Sequence, residues 1–276
     1  MDILDAIDKA WDFNDPAATE TRFADLEKQF SGHELFEVRT QRARTLGLQG
    51  RFEEGHAVLD SLPDELPPRA AVRQHLERGR LWNSAGNREK ALERFHSAYN
   101  LAAAHSIAWL AIDAGHMIAI ASSLEEGLQW NEKCLAQAEA ASDERSRRWR
   151  GSLLNNLGWS LMDLGRPQEA LDAFERAVVV REEAGAEGPL KIAKWCVGRA
   201  LREVGRVQQA LEVQQALLKE DGDGFVSEEL GECLLLLGRT QEAKPHFERA
   251  HHEFTQGALK GAVDEQRLNR IASLMA

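Results

Sequence analysis

From Gly151 to Gly185 the apolar positions fall in two stripes separated by one turn. Leu154, Leu157, Gly158 and Leu161 stand at i, i+3, i+4 and i+7, a spacing that gathers them on one helix face and leaves a notch at Gly158. Gly165 ends that helix, because a glycine just past the last turn takes the left-handed conformation that lets the terminal carbonyls be satisfied. Pro167 suits the first turn of the next helix, where a missing N–H costs nothing. Ala170, Phe174, Ala177 and Val178 make the second stripe. The small residues let the two helices approach closely, and Phe174 fills the space beside them. One such hairpin leaves a face of each helix bare, so the pattern predicts stacked neighbours of the same kind.

The pattern recurs along the chain. Gly50, Gly86, Ser122, Gly165, Gly205 and Gly238 occupy the turn position, separated by 36, 36, 43, 40 and 33 residues. A small residue follows five positions after each, at Gly55, Ala91, Gly127, Ala170, Ala210 and Ala243. Leu59, Phe95, Phe174 and Phe247 come four further on, while Asn131 and Gln214 break that rule. Before these units, Met1 to Phe30 reads as a degenerate helix pair broken at Asn14-Asp15-Pro16. Its first helix sets Ile3, Ile7 and Trp11 against an acidic row of Asp2, Asp5, Asp8 and Asp12, itself a candidate partner surface. Ser142 reads as a helix cap with Asp143 and Glu144 in the first turn, which lengthens the helix before Gly165 by about two turns. Ala258 to Met275 reads as one amphipathic helix, with Leu259, Val263 and Ile271 turned toward the preceding repeat.

The residues Leu157, Gly158, Leu161, Gly165, Ala170 and Phe174 resemble the tetratricopeptide repeat family, whose unit is a helix pair of about 34 residues. Leu230, Gly231, Leu234, Gly238, Ala243 and Phe247 repeat the spacing in full. Gly79, Trp82, Gly86, Ala91 and Phe95 repeat most of it, as do Val197, Gly198, Leu201, Gly205 and Ala210. The unit starting near Ala108 departs from it, with Ser122 for the turn glycine and Asn131 for the aromatic residue. The resemblance implies an all-α, right-handed α-solenoid of helix-turn-helix repeats forming a single domain over 1–276. Within it, 1–30 is the degenerate pair, about six repeats fill 36–257, and 258–276 is a C-terminal capping helix.

Composition narrows the function. With 43% hydrophobic residues there is material for a continuous core, and a single Tyr and seven Pro leave little room for strands. A net charge of −11 argues against a general nucleic-acid binder. Cys134, Cys196 and Cys233 are widely spaced and read as thiols in a reducing compartment. No basic start is followed by an apolar run, and the most apolar helix, Ile107 to Ala121, is too short for a bilayer and carries Asp113 and His116. The expectation is a cytoplasmic protein with no membrane and no nucleic-acid partner.

Catalytic and metal motifs do not assemble. His251 and His252 are adjacent, which points them about 100 degrees apart on a helix. Asp221-Gly222-Asp223-Gly224 begins like a calcium loop, but Phe225 and Val226 stand where a ligand and a glycine are required. No enzyme activity, metal or cofactor is expected.

Function is therefore sought on the concave face, which in the family is lined by the first helix of each repeat. With units starting at Phe36, Val72, Ala108, Gly151, Lys191 and Gly224, the resemblance places Arg44, Arg73, Arg80, Trp109, His116, Asn155, Trp159, Trp195, Arg199 and Arg202 there. It also places Phe225, Glu228 and Glu232, which would make the C-terminal end of the face acidic. The expected binding groove is Arg44, Arg80, His116, Asn155, Trp159, Trp195 and Arg199. Arginine forks pair with carboxylates and tryptophan offers rigid contact area, so the expected partner is a protein or peptide segment with acidic and bulky apolar groups. The competing reading has the tryptophans packing between repeats and the arginines pairing with neighbouring acids. Alternatives to a scaffold or adaptor are a sensor closing around a signalling peptide or small molecule, and a self-associating module. Oligomeric state stays open.

Overall fold

A computed structural model describes residues 2–275, and among these the regular elements are helices. The chain divides into two compact units, Met1–Leu153 and Leu154–Ala276. The first holds α1 (Ile3–Ala10), α2 (Pro16–Leu26), α3 (Gly32–Leu48), α4 (Phe52–Asp60), α5 (Pro68–Ser84), α6 (Arg88–Ala104), α7 (Ala108–Ala121), α8 (Leu124–Ala140) and α9 (Glu144–Arg147). The division falls within α10 (Arg150–Asp163). The second unit continues with α11 (Pro167–Glu183), α12 (Glu187–Glu203), α13 (Val207–Lys219), α14 (Gly224–Leu236), α15 (Thr240–Thr255) and α16 (Glu265–Leu274). The fold is the expected all-α solenoid type. In the first unit α3, α5 and α7 also touch directly, and in the second α12 touches α14, so first helices stand side by side.

The turns follow from glycine. Gly50, Gly86, Gly165, Gly205 and Gly238 all have φ between +70° and +83°. In each case the N–H of the next residue returns to a carbonyl five positions back, as from Arg166 to Leu161 at 2.9 Å. Three of those next residues, Arg51, Arg166 and Arg239, fork onto Glu54, Glu169 and Glu242 in the first turn of the following helix. Ser122 does not take the glycine conformation: its backbone is extended, and Ser123 caps α8 through the N–H of Glu126.

The notch and the ring beside it fix each helix pair. A methyl group on Gly79 would stand 2.5 Å from Phe95, and one on Gly231 would stand 2.7 Å from Phe247. Gly158 meets Phe174 in the same way. Where the aromatic residue is missing the notch is still filled: Gln214 covers Gly198, and the Cys134 sulfur covers Gly115. Phe95, Phe174 and Phe247 are fully buried.

Two expected helices have different limits. Asp143, not Ser142, caps the single turn of α9, and α10 starts afresh at Arg150, so the two-turn extension is absent. The carboxylate of Asp143 accepts from the Ser146 N–H at 2.8 Å, while the chain beyond Arg147 bends before helical bonding resumes. The last helix begins at Glu265, because Asp264 caps it and Gly261 at φ +81° breaks the preceding segment into turns. Among the described residues no helix is long and apolar enough to cross a membrane.

Phe174→Ala should cost about 3–5 kcal/mol through the cavity it leaves, and Gly158→Ala about 1–3 kcal/mol through crowding. Because the ring and the added methyl compete for one space, the double variant should lose less than the sum of the two. Urea unfolding followed by tryptophan fluorescence measures this, and simple additivity would refute the notch.

Candidate functional site

In the first unit the first helices carry a line of alternating charge. Glu37 on α3 is 3% exposed, accepts from Arg69 at 2.7 Å and faces Arg73 at 3.2 Å, both on α5. Arg80 on α5 donates to Glu77 one turn earlier at 2.7 Å, and to Asp113 on α7. Glu77 and Asp113 are buried. Burial alone would lower the pKa of Arg80, but Asp113 and Glu77 outweigh it and hold the value above the ordinary one. Arg73 goes the other way: burial dominates and lowers it despite Glu37. The Arg73 guanidinium also lies 5.0 Å from the Trp109 ring, which Arg145 approaches at 5.7 Å. Arg145 in turn pairs with Asp8 of the acidic N-terminal row at 2.9 Å.

Arg44 and His116 sit beside this line. Burial, then the charge of Arg80, pulls the Arg44 pKa down to about 10. Its guanidinium lies 5.2 Å from the centroids of both Trp11 and Phe13, which are themselves stacked. His116 lies 5.2 Å from the Trp149 ring, and burial pushes its pKa down to about 4, with Asp113 opposing and Arg80 and Arg44 assisting. Arg44, Arg80 and His116 thus lie close enough to feel one another's charge.

In the second unit successive first helices present a ladder of aromatic rings. Trp159 on α10 and Trp195 on α12 are 5.9 Å apart, and Trp195 and Phe225 on α14 are 6.1 Å apart. Phe174 and Phe254 brace Trp159 and Phe225 from the second helices. Trp159, Trp195 and Phe225 remain partly exposed. The Trp195 indole N–H donates to the Phe225 carbonyl at 3.2 Å, which fixes the ring. Arg199 stands 5.6 Å from the Trp159 ring and 5.9 Å from the Trp195 ring. It donates to Glu229 at 2.9 Å, and Arg202 donates to the same carboxylate at 2.8 Å, so two cations converge on one buried anion. Asn155 accepts from the Cys196 thiol at 3.6 Å. Next to Trp195, a cleft of about 370 Å³ is lined by Lys191, Ile192, Leu217, Phe225 and Val226.

The acidic end expected from Glu228 and Glu232 is not there. Arg267 of α16 forks onto Glu228 at 2.6–3.1 Å, and Arg270 clamps Glu232. The last helix neutralises the carboxylates it covers. Four expected groove arginines, Arg73, Arg80, Arg199 and Arg202, are likewise paired with acids, as the competing reading had it. Glu37, Glu77, Asp113 and Glu229 were missed as their partners, as were Trp11 and Phe13 beside Arg44. A signal existed, since Arg80 and Asp113 are 33 residues apart and Arg199 and Glu229 are 30 apart, close to one repeat.

Nothing in the described residues groups three or more His, Cys, Asp or Glu side chains for a metal ion. The three cysteines are buried, and burial pushes each thiol up to about 12, far from a nucleophilic thiolate.

The depressed pKa of His116 sets an acid limit. The unfolded chain takes up a proton near pH 6.5 and the folded chain only near pH 4, so the stabilisation is full above pH 6.5 and fades as pH falls toward 4. His116→Gln should flatten the loss of melting temperature between pH 7 and pH 4 by the equivalent of about 3 kcal/mol. Parallel melting curves for the two proteins across that range would remove His116 as the cause.

Tetratricopeptide repeat profiles match residues 151–184, 197–258 and 37–61. No curated protein matches the chain by sequence. Among solved structures, the apo form of RapI is 10% identical with a TM-score of 0.71, and the match covers 99% of this chain and 79% of that one. The apo quorum sensor NprR from B. thuringiensis is 14% identical with a TM-score of 0.64, covering 99% and 80%. NprR in complex with its cognate peptide NprX is 15% identical with a TM-score of 0.57, covering 100% and 83%. The matched repeats, the recurring glycine turns and the ring-on-glycine packing agree: the chain carries tetratricopeptide repeats, matched at 37–61, 151–184 and 197–258.

Proposed function

We propose that this protein is a non-catalytic, cytoplasmic interaction module that binds a peptide or protein segment along the faces of its first helices. The observation that carries this is the aromatic ladder of the second unit. Trp159, Trp195 and Phe225 are partly exposed although buried neighbours already fill the core, and a cleft opens beside them. Rigid aromatic rings, braced by Phe174 and Phe254 and at Trp195 by a hydrogen bond, supply contact area at low entropic cost, which is the usual character of a binding hot spot. In this reading Trp159 and Trp195 take a bulky apolar side chain, with Arg199 and Asn155 at its margin. Arg44, Arg80 and His116 form the polar counterpart in the first unit.

A sensor is the second reading, and the likeness to NprR favours it, since that protein is a quorum sensor seen with a cognate peptide. Ligand-dependent compaction in small-angle scattering distinguishes a sensor from a rigid adaptor. The binding face itself is tested with a photo-reactive amino acid at position 159, and at Asp172 on the outer side of α11 as control. A captured peptide segment at 159, absent at 172 and lost in Trp195→Ala, is the expected result. Equal capture at both positions would end the assignment.

A further inference from the structure

Between α8 and α10 the chain takes a detour that the stacking of helices does not require. The connections from α6 to α7 and from α11 to α12 occupy only 105–107 and 184–186, whereas this one runs from 141 to 149. It lies within the longest turn-to-turn interval, the 43 residues from Ser122 to Gly165. Its middle is the single turn of α9, packed on α7 and α8 with Ser146 fully buried.

The detour reaches back over the first unit. Arg147 and Arg148 pair with Glu144 of their own turn. Arg145 instead crosses to Asp8 on α1, 137 residues earlier in the chain, with contacts of 2.9 and 3.3 Å. Its guanidinium also lies 5.7 Å from the Trp109 ring of α7. Four positions later, Trp149 lies 5.2 Å from His116, again on α7. A cation and an aromatic ring from one short segment are thus seated on Asp8, Trp109 and His116.

The hold is weak. The Asp8 side chain is 46% exposed, and an ion pair so wet holds loosely. Arg73 already lies 5.0 Å from the Trp109 ring, so Arg145 meets a second cation there. A helix of four residues has little cooperativity with which to resist opening. The tether compensates, because a short one supplies an effective concentration in the millimolar range.

Resting on the proposed use of the first-helix faces, we propose that residues 141–149 are a built-in strap that occupies the face of the first unit, anchored by Arg145 and Trp149. The partner of that face is a segment with a basic side chain and, four positions on, an aromatic one, and it binds by displacing the strap.

The test uses the full chain and a fluorescein-labelled peptide of residues 142–150. In the opened variant, Arg145→Ser with Trp149→Ser, the seats are vacated, and fluorescence anisotropy should show the peptide binding at about 0.1 mM or tighter. The parent, whose own strap competes, should bind it at least tenfold more weakly. A control peptide with serine in place of the same arginine and tryptophan should not bind the opened variant. Adding Asp8→Asn to that variant should weaken the peptide about two- to fivefold. If the opened variant fails to fold by circular dichroism, Asp8→Asn alone in the otherwise unaltered chain decides: amide exchange over 143–149 should quicken about two- to fivefold, with α7 and α8 unchanged.

Equal peptide binding by parent and opened variant, binding by neither, or equal binding of the control peptide would overturn the proposal, as would unchanged exchange in the single variant. Its failure is separable from that of the wider reading. Segment capture at position 159 without peptide binding to the opened variant leaves the second unit's face standing and removes the strap, whereas peptide binding without capture does the reverse.

Discussion

A phenylalanine ring laid on a glycine of the neighbouring helix governs this protein. At Gly79 and Phe95, Gly158 and Phe174, and Gly231 and Phe247, the first helix gives up a Cβ so that the second can approach. The distance and tilt of each pair follow from that contact, because a close-packed interior has few ways to seat a ring against a backbone. Once the pairs are alike, first helices of successive repeats lie side by side within each unit. The ladder of rings is a consequence. One residue per first helix then lines up with its counterpart in the next repeat, as Trp159, Trp195 and Phe225 do.

The same stacking decides the electrostatics. An arginine on one first helix meets a carboxylate about one repeat away, so Arg80 reaches Asp113 and Arg199 reaches Glu229. These pairs are largely out of water, where each ion alone would cost several kcal/mol and only close, hydrogen-bonded geometry offsets it. The outer Arg–Glu pairs at the helix starts are different in kind. Arg166 with Glu169 is well exposed, and such a pair contributes little beyond ordering the turn. Burial, not the number of bridges, separates the charges that hold the architecture from those that decorate it.

Legibility in the sequence divides along physical lines. The repeats could be read because glycine turns and ring-and-notch packing are local, and Gly50, Gly86, Gly165, Gly205 and Gly238 all proved to be left-handed. Ser122 broke the pattern in the sequence and breaks it in the structure. The grouping of Trp159 with Trp195 and of Arg44 with Arg80 was legible too, since periodicity fixes which residues share a face. Which acid meets which arginine was not. Helical period places Glu228, Glu229 and Glu232 on one helix, but only the positions of α12 and α16 assign Glu229 to Arg199 and Arg202, and its neighbours to Arg267 and Arg270. The limits of α9 and α16 were missed because Asp143 and Asp264 compete with nearby residues as caps, and a cap is chosen by the path of the chain on both sides.

An arginine that has found its carboxylate is a poor ligand-binding group but a good fixture. Arg199, anchored on Glu229, keeps a cation over the Trp159 and Trp195 rings without searching rotamers. Trp195, tied to the Phe225 carbonyl, is equally fixed. A segment docking there, as proposed, would avoid most of the roughly 0.5–1.5 kcal/mol that ordering each mobile side chain costs. Arg44 differs, its guanidinium lying over the Trp11 and Phe13 rings. The internal pairing therefore does more than stabilise the stack, because in the second unit it fixes in advance the cation and the ring that a docking segment would meet.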